Sequence, residues 1–438
     1  MNDQLGLFDG RGDDETGELD LNDLRAVLRK TAAAPMPLPR PVQRREQRAV
    51  RIAAAKRRKR RRRHTLIALV ILAVLAAGVV VGFSVWRKDV TAVADFPGSG
   101  DSETVVRVGS GDSLTDIADT LAADKVVASA EAFVTAATDV AAMRSVKTGF
   151  YKVKQHASAA AAVRAITDPA AAVGKLRLIP GRQLADVSTK SAGGGAITPG
   201  YISAITQAAC VPLNGVRKCF TADDLWKVAE TADPVSALGV LSWAAPGVSG
   251  APDVRRRLEG TLVPGDYNVP PTADPLEALQ SVISASATTW NNTEVVARAK
   301  TLGVTPYQLA VVASLVEREG NRADMPKVAR VTFNRLAAHM RLQFDSTVNY
   351  SLDRAQISTT AAERANSSPY NTYVVAGLPP TPISSPGPDA LDAALHPDDG
   401  NWLYFVKIDL KGNSCFSETL EQHNKCVAQA RANGVFGR

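Results

Sequence analysis

Two glutamates at the end of a predicted helix are the residues of this chain whose type and spacing best suit acid–base chemistry. Thr305 and Pro306 are typical of a helix start, and the apolar helix that follows ends with Glu317-Arg318-Glu319 before Gly320. Burial and the negative end of the helix dipole both favour a protonated carboxyl, which a general acid requires. Residues two apart project roughly 200° from each other, so the two glutamates cannot serve one site together. The alternative is a solvated cluster of surface charges.

Long sequence blocks in the C-terminal part of the chain favour the catalytic interpretation. They run in order over residues 309–427 and read ASLVEREG, VARVTFNRL, MRLQFDSTVNYSL, SPYNTYVVAGLPPTPISSPGPDAL, AALHP, LYFV and HNKCV. Weaker matches, LRLIPGRQL and LEGTLVPGDYNV, lie upstream. In order and spacing these blocks resemble those of the endolytic murein transglycosylase (YceG-like) family.

The resemblance implies an enzyme that cleaves peptidoglycan glycan strands internally and without water. Glu319 matches the general acid of the family, which protonates the oxygen between N-acetylmuramic acid and N-acetylglucosamine. It then acts as a base while the muramoyl primary hydroxyl closes a 1,6-anhydro ring. One carboxyl suffices because the nucleophile is intramolecular, whereas hydrolysis needs a second carboxylate. Glu317 is the secondary candidate, and no metal or other cofactor is implied.

The other blocks supply polar side chains suited to holding sugar hydroxyls and acetamides. These predicted substrate-binding residues are Asn334, Gln343, Asp345, Tyr350, Tyr370, Asn371, Thr372 and Tyr373. Two positions depart from the family pattern: Ser346 stands where the D-P-T-V block usually has proline, and Gly320 stands where a side chain is commoner. Two alternatives stay open, namely a noncatalytic peptidoglycan-binding scaffold and a muramidase-type hydrolase that uses Asp345 as its second carboxylate.

The predicted fold class is α+β, with small LysM-like units over residues 104–196 and a mixed α+β catalytic domain over residues 197–438. VRVGSGDSLTDIADTL reads as a strand followed by a helix, with Ser113 and Asp116 as a capping box, and resembles the first half of a glycan-binding LysM module. Residues 176–187 align without gaps on residues 106–117, which predicts a second βα unit.

An uncharged apolar run of 21 residues, 65–85, is long enough to cross a bilayer. Eight consecutive cations, Lys56 to Arg63, precede it, which predicts a transmembrane helix over residues 65–86 with a disordered cytosolic tail over residues 1–64. A linker over residues 87–103 then leads to the exterior part. We therefore expect a single-pass protein of the bacterial cell (inner) membrane whose partners are peptidoglycan and the membrane. The resemblance adds a peptidoglycan synthase. For the tail, binding of a cytosolic protein and a purely topological role both stay open.

The basic net charge of +7 belongs to that tail and not to the folded part. Residues 1–64 hold 17 Lys and Arg against 9 Asp and Glu, and the remaining residues hold 34 against 35. The exterior part has no basic excess with which to bind a phosphate backbone, so a nucleic-acid partner is not expected. H-E-x-x-H and G-x-S-x-G motifs are absent from the sequence, which argues against zinc peptidases and serine hydrolases.

The four cysteines form two close pairs on the predicted exterior. Cys210 and Cys219 make one pair, and Cys415 and Cys426 the other. An oxidising compartment allows both local disulfides, whereas the spacings do not fit a zinc site. The alternative is free buried thiols.

Overall fold

A computed structural model of the chain describes residues 69–81, 93–189, 196–217, 219–353 and 359–435. Residues 69–81 form a helix, α1, whose apolar side chains are exposed. Across the described ranges, no helix is both long and apolar enough to span a membrane. The predicted cytosolic tail and both flanks of the predicted span lie outside the described residues.

Residues 93–173 form three helices and a small antiparallel sheet. Strand β1 (Glu103–Val108) alternates buried and exposed residues near its end, as Val106 and Val108 face the core and Arg107 faces solvent. The predicted capping box of Ser113 and Asp116 is confirmed. The sheet order is β1-β2-β3. The elements are β1, α2 (Leu114–Ala123), α3 (Ala130–Ala137), β2 (Gly149–Lys154), α4 (Ala159–Thr167) and β3 (Ala172–Val173).

Residues 174–435 are mostly helical in their described part and also contain short two-stranded sheets, so the α+β class is confirmed. Strand pairs are β4-β9, β5-β6, β7-β8 and β10-β11, all antiparallel. In chain order the elements are β4 (Lys175–Leu178), β5 (Val187–Thr189), β6 (Ala196–Thr198), α5 (Tyr201–Ala209), β7 (Pro212–Leu213), β8 (Val216–Arg217), α6 (Ala222–Thr231), α7 (Ala245–Ser249), β9 (Gly265–Asn268), α8 (Pro275–Asn291), α9 (Val295–Thr301), α10 (Pro306–Glu319), α11 (Met325–Ala337), α12 (Asp345–Ser351), α13 (Ala361–Arg364), α14 (Pro388–Leu395), β10 (Tyr404–Lys407), β11 (Ser414–Ser417) and α15 (Leu420–Ala432).

The predicted second βα unit is wrong in its helical half. Strand β4 forms, but residues 179–186 are a loop and the next helix is α5. The loop is held by distant groups that replace helical hydrogen bonds: the Leu184 N–H donates to the carboxyl of Glu259, and Asp186 accepts from the Gly200 N–H. β4 pairs with β9, and Leu176 and Leu178 join the larger core.

Helix α10 contributes buried side chains to two hydrophobic clusters of the fold. Its predicted start is confirmed, because Thr305 caps the helix and Pro306 opens it. Leu309 through Val316 are all buried, and the helix packs against α9, α11 and α14. A helix buried on every side delivers its last turn, Glu317 to Glu319, to the edge of the core.

Both predicted disulfides are confirmed. Cys210 pairs with Cys219, and this bond links the end of α5 to the residues that precede α6. Cys415 pairs with Cys426, and this bond ties β11 to α15. Each disulfide therefore fixes a local junction between neighbouring elements.

Candidate functional site

Glu319, the last residue of α10, is a half-buried carboxyl with one backbone donor. The N–H of Ser346, in the first turn of α12, donates to Oε1 of Glu319 at 3.3 Å. Loss of solvent raises the pKa of Glu319 above its ordinary value, Ser346 and then Lys407 oppose that rise, and Asp345 adds to it. The raised pKa increases the protonated fraction at neutral pH, as a general acid needs.

Glu317 binds a different segment of the chain. Its carboxylate accepts a hydrogen bond from the Gly387 N–H at 2.9 Å, while the neighbouring Arg318 donates to the carbonyl of Gly181 at 3.1 Å. Loss of solvent also raises the pKa of Glu317. The two glutamates thus have separate partners, as their spacing predicts.

Asp345 lies beside Glu319 and is oriented by two hydroxyl groups. Its Oδ1 accepts hydrogen bonds from Tyr373 at 2.8 Å and from Thr359 at 2.6 Å. Burial, together with the Asp345 carboxylate, raises the pKa of the Tyr373 hydroxyl. The structure therefore brings three of the sequence-predicted site residues, Glu319, Asp345 and Tyr373, into one cluster.

Asn371 and Thr372 lie beneath this cluster and are almost fully buried. The Thr372 hydroxyl accepts from the Phe344 N–H at 3.0 Å, and its carbonyl accepts from the Gln343 N–H at 3.1 Å. Asn371 donates to the carbonyls of two upstream residues, Arg364 and Asn366. These contacts fix the segment that leads into α12, so both side chains act as supports within the fold.

Tyr350 and Tyr370 also face the interior. Their rings pack edge to face with centroids 5.0 Å apart, and the guanidinium of Arg256 lies 4.3 Å from the ring centre of Tyr350. The Tyr350 hydroxyl donates to Glu259, and the Tyr370 hydroxyl pairs with Thr381. The structure places neither ring among the exposed groups of the site.

The remaining two predicted residues differ from each other. Asn334 donates to the carbonyls of Gly400 and Trp402 at 3.0 and 2.9 Å, which fixes the segment before β10. Gln343 is exposed and has a positive φ of 53°. Gln343 lies just before α12. Among the predicted substrate-binding residues, it is the one that is exposed to solvent.

Sequence reasoning missed three residues that touch the cluster or act on its charge. Ser346 was noted only as a lost proline, although its N–H is the group that binds Glu319. Lys407 directly follows the LYFV block, and this position in the sequence could have pointed to it. Its positive charge lowers the pKa of Glu319. Thr359 carried no sequence signal. No group of three or more His, Cys, Asp or Glu side chains in the described ranges is placed to hold a metal ion.

Comparisons with known proteins match the sequence to a family. The sequence profile of the YceG-like family matches residues 106–429. The endolytic murein transglycosylase of Bacillus subtilis (strain 168) is 36% identical over 176 residues, which cover 40% of this chain and 48% of that protein. The enzyme of the same name from Streptococcus pneumoniae serotype 2 is 30% identical over 181 residues, covering 40% and 32%. The chain thus spans about half the length, or less, of these curated relatives.

A crystal structure of a YceG-like protein from Listeria monocytogenes is 24% identical, with a TM-score of 0.47. The match covers 74% of this chain and 98% of that one. The profile match runs from β1 to α15 and includes every residue of the cluster around Glu319. On that match, the chain belongs to the YceG-like family.

Proposed function

We propose that the chain is a membrane-anchored, endolytic lytic transglycosylase of peptidoglycan in which Glu319 is the general acid. The observation that carries this proposal is the half-buried Glu319 carboxyl at the end of α10, whose pKa is raised and whose bound donor is the Ser346 N–H. The names of the two curated relatives support the reaction class.

The reaction begins when Glu319 gives its proton to the oxygen between N-acetylmuramic acid and N-acetylglucosamine. The bond from that oxygen to the muramoyl anomeric carbon breaks, and the N-acetylglucosamine side leaves as an alcohol. The Glu319 carboxylate then removes the proton of the muramoyl primary hydroxyl as its oxygen attacks the anomeric carbon. The products are a 1,6-anhydro-muramoyl end and a free N-acetylglucosamine end, and no water is consumed.

Asp345, Tyr373 and Gln343 are the side chains that we assign to substrate contact beside Glu319. Asp345 keeps Oδ1 bound to Tyr373 and Thr359, which leaves Oδ2 to accept from a sugar hydroxyl. Residues 104–154 are proposed as a LysM-like glycan-binding unit, because they have the strand–helix–helix–strand order and a cleft of about 410 Å³ next to Gly109 and Asp112.

We also propose that residues 65–86 anchor the chain in the cell membrane, with residues 1–64 in the cytosol and the catalytic part outside. The support is the uncharged run after eight cations, and the substrate exists only outside the membrane. At that surface the enzyme would end the elongation of nascent strands beside a synthase. Protease added to wall-stripped cells should digest the catalytic part and spare an N-terminal tag, and digestion of the tag would overturn this topology.

The decisive experiment is mass spectrometry of the glycan products made by the purified chain in water labelled with oxygen-18. Transglycosylation gives anhydro-muramoyl ends without label. Newly formed reducing ends that carry the label would instead establish a hydrolase. Glycan binding without any product would establish the noncatalytic scaffold.

A further inference from the structure

Glu259 is a buried glutamate outside the cluster around Glu319, and it joins two segments that meet the end of α10. Its side chain is 2% exposed. Both carboxyl oxygens lie 3.2 Å from the amide nitrogen of Leu184, and one lies 3.2 Å from the Tyr350 hydroxyl. These partners are 75 and 91 positions away in the sequence. The carboxyl is therefore a tertiary link and not a local cap.

The Leu184 side of this link reaches the residues between the two glutamates. Leu184 belongs to the loop of residues 179–186, in which the Gly181 carbonyl accepts from Arg318 at 3.1 Å. The Gly181 N–H donates to the carbonyl of Ser385 at 2.9 Å. A shift of this loop would move the guanidinium that lies between Glu317 and Glu319 in the sequence.

The Tyr350 side of the link reaches Glu319 through α12. This helix has seven residues, with Ser346 in its first turn and Tyr350 in its last. Arg256 fixes the same end, since its guanidinium donates to the Tyr350 carbonyl at 3.0 Å and to Asp353 at 2.8 Å. Any rotation or translation of so short a helix is passed to the Ser346 N–H.

The charge state of Glu259 is part of the arrangement. Burial raises the pKa of Glu259 to about 8, so the carboxyl is mostly neutral at neutral pH. The charged and titratable groups that face it are Arg256, Asp353, Tyr201, Tyr307, Tyr350 and Tyr370. Glu259, Arg256 and Tyr350 are among the residues that line a cleft of about 450 Å³.

We propose that Glu259 is a positioning residue of the active site, which sets the Ser346 N–H against Glu319 by bridging Leu184 and Tyr350. The inference rests on the proposed function, because the consequence of this placement is the rate of proton transfer by Glu319. Glu259 itself has no part in the chemical step.

The test compares Glu259→Ala, Glu259→Gln, Tyr350→Phe and the double variant Glu259→Ala/Tyr350→Phe in the full chain. Glu294→Gln is the matched control, because Glu294 is exposed and distant in sequence from both segments. We expect Glu259→Ala to lower kcat about tenfold with KM within about twofold, and Glu259→Gln to recover most of that loss. The double variant should be no slower than the slower single variant, since both changes break one link.

Amide hydrogen exchange of Ser346 and of residues 181–186 is measured on the same variants, because it does not depend on turnover. Exchange should quicken in Glu259→Ala and Tyr350→Phe and stay unchanged in Glu294→Gln. Wild-type rates and wild-type exchange in folded Glu259→Ala and Tyr350→Phe would overturn the inference, as would additive losses in the double variant.

If Glu259→Ala does not fold, Tyr350→Phe and Glu259→Gln carry the test. A folded Tyr350→Phe with wild-type rates and wild-type exchange of Ser346 would then contradict the proposal. A wild-type chain that makes no anhydro ends would refute the proposed function alone, while hydrogen exchange still decides the role of Glu259.

Discussion

The N–H of Ser346 donates to the Glu319 carboxylate at 3.3 Å, and Ser346 is the residue at which the sequence departs from the D-P-T-V block that it otherwise resembles. Proline has no N–H, so this hydrogen bond depends on the departure from the family pattern. The Ser346 side chain and this N–H bond both stabilise the ionised carboxylate and oppose the rise in pKa that burial causes. Serine at this position therefore gives Glu319 a lower pKa than proline would.

Ser346→Pro is expected to raise the pKa of Glu319 further. A general acid acts in its protonated form, so activity falls as pH rises through that pKa, and a higher pKa moves the fall to higher pH. Proline is tolerated there because Ser346 lies in the first turn of α12. The measurement is kcat/KM from pH 5 to pH 9. Ser346→Ala keeps the N–H and should shift the profile less, and an equal shift would assign the effect to the hydroxyl.

Glu319→Gln is expected to abolish strand cleavage while leaving folding and glycan binding close to wild type. The amide keeps the shape of the side chain and loses the transferable proton, which is worth about 10²–10⁴ in rate. Glu317→Gln should cost less, because Glu317 binds the Gly387 N–H and an amide oxygen can still accept that bond. Product formation by the purified variants is the measurement, and a fully active Glu319→Gln would refute the mechanism.

The sequence predicted those features of the site that depend on interactions between residues close together in the chain. Thr305 and Pro306 fixed the start of α10, because caps act within one turn. Gly320 did end the helix, but with φ of −92° it needs no left-handed conformation. An added Cβ there would lie 3.1 to 3.3 Å from atoms of Met325, so space explains this glycine.

Long-range partners explain the failures. The gapless alignment on residues 106–117 suggested a second βα unit at residues 176–187, but the Leu184 N–H donates to Glu259, 75 residues away. Asn371 and Thr372 were singled out as polar groups for sugars, yet both are buried and bind backbone groups. A polar residue in a block that resembles the family can either contact the substrate or support the fold, because both roles use hydrogen bonds. The sequence alone does not distinguish these two roles.

Removing the Cys415–Cys426 disulfide is expected to destabilise the junction between β11 and α15. The bond closes a loop with a sequence separation of 11, for which chain entropy gives roughly 2 to 3 kcal/mol at most. Cys415→Ser/Cys426→Ser should lower the urea midpoint without changing activity at low temperature. Peptide mapping without reduction provides the control, and crossed pairing with Cys210 or Cys219 would contradict the structure.

The stability of the fold should fall as pH rises because of Glu259. Its pKa is about 8 in the folded chain against an ordinary value near 4.3, so between these values the folded state binds more protons than the unfolded state. The free energy of unfolding therefore decreases with rising pH across this window, by at most about 1.4 kcal/mol per pH unit from this group, and levels off above pH 8.

Glu259→Gln removes that contribution, since the amide does not titrate and can still accept from the Leu184 N–H. Urea unfolding of the full chain at pH 5, 6.5 and 8 should show the variant gaining stability relative to wild type at each step. The variant will keep part of the wild-type decrease in stability with rising pH, because burial also raises the pKa values of Glu317 and Glu319. Glu294→Gln should keep a constant difference from wild type. A constant difference for Glu259→Gln as well would show that Glu259 is already ionised in the folded protein at pH 5.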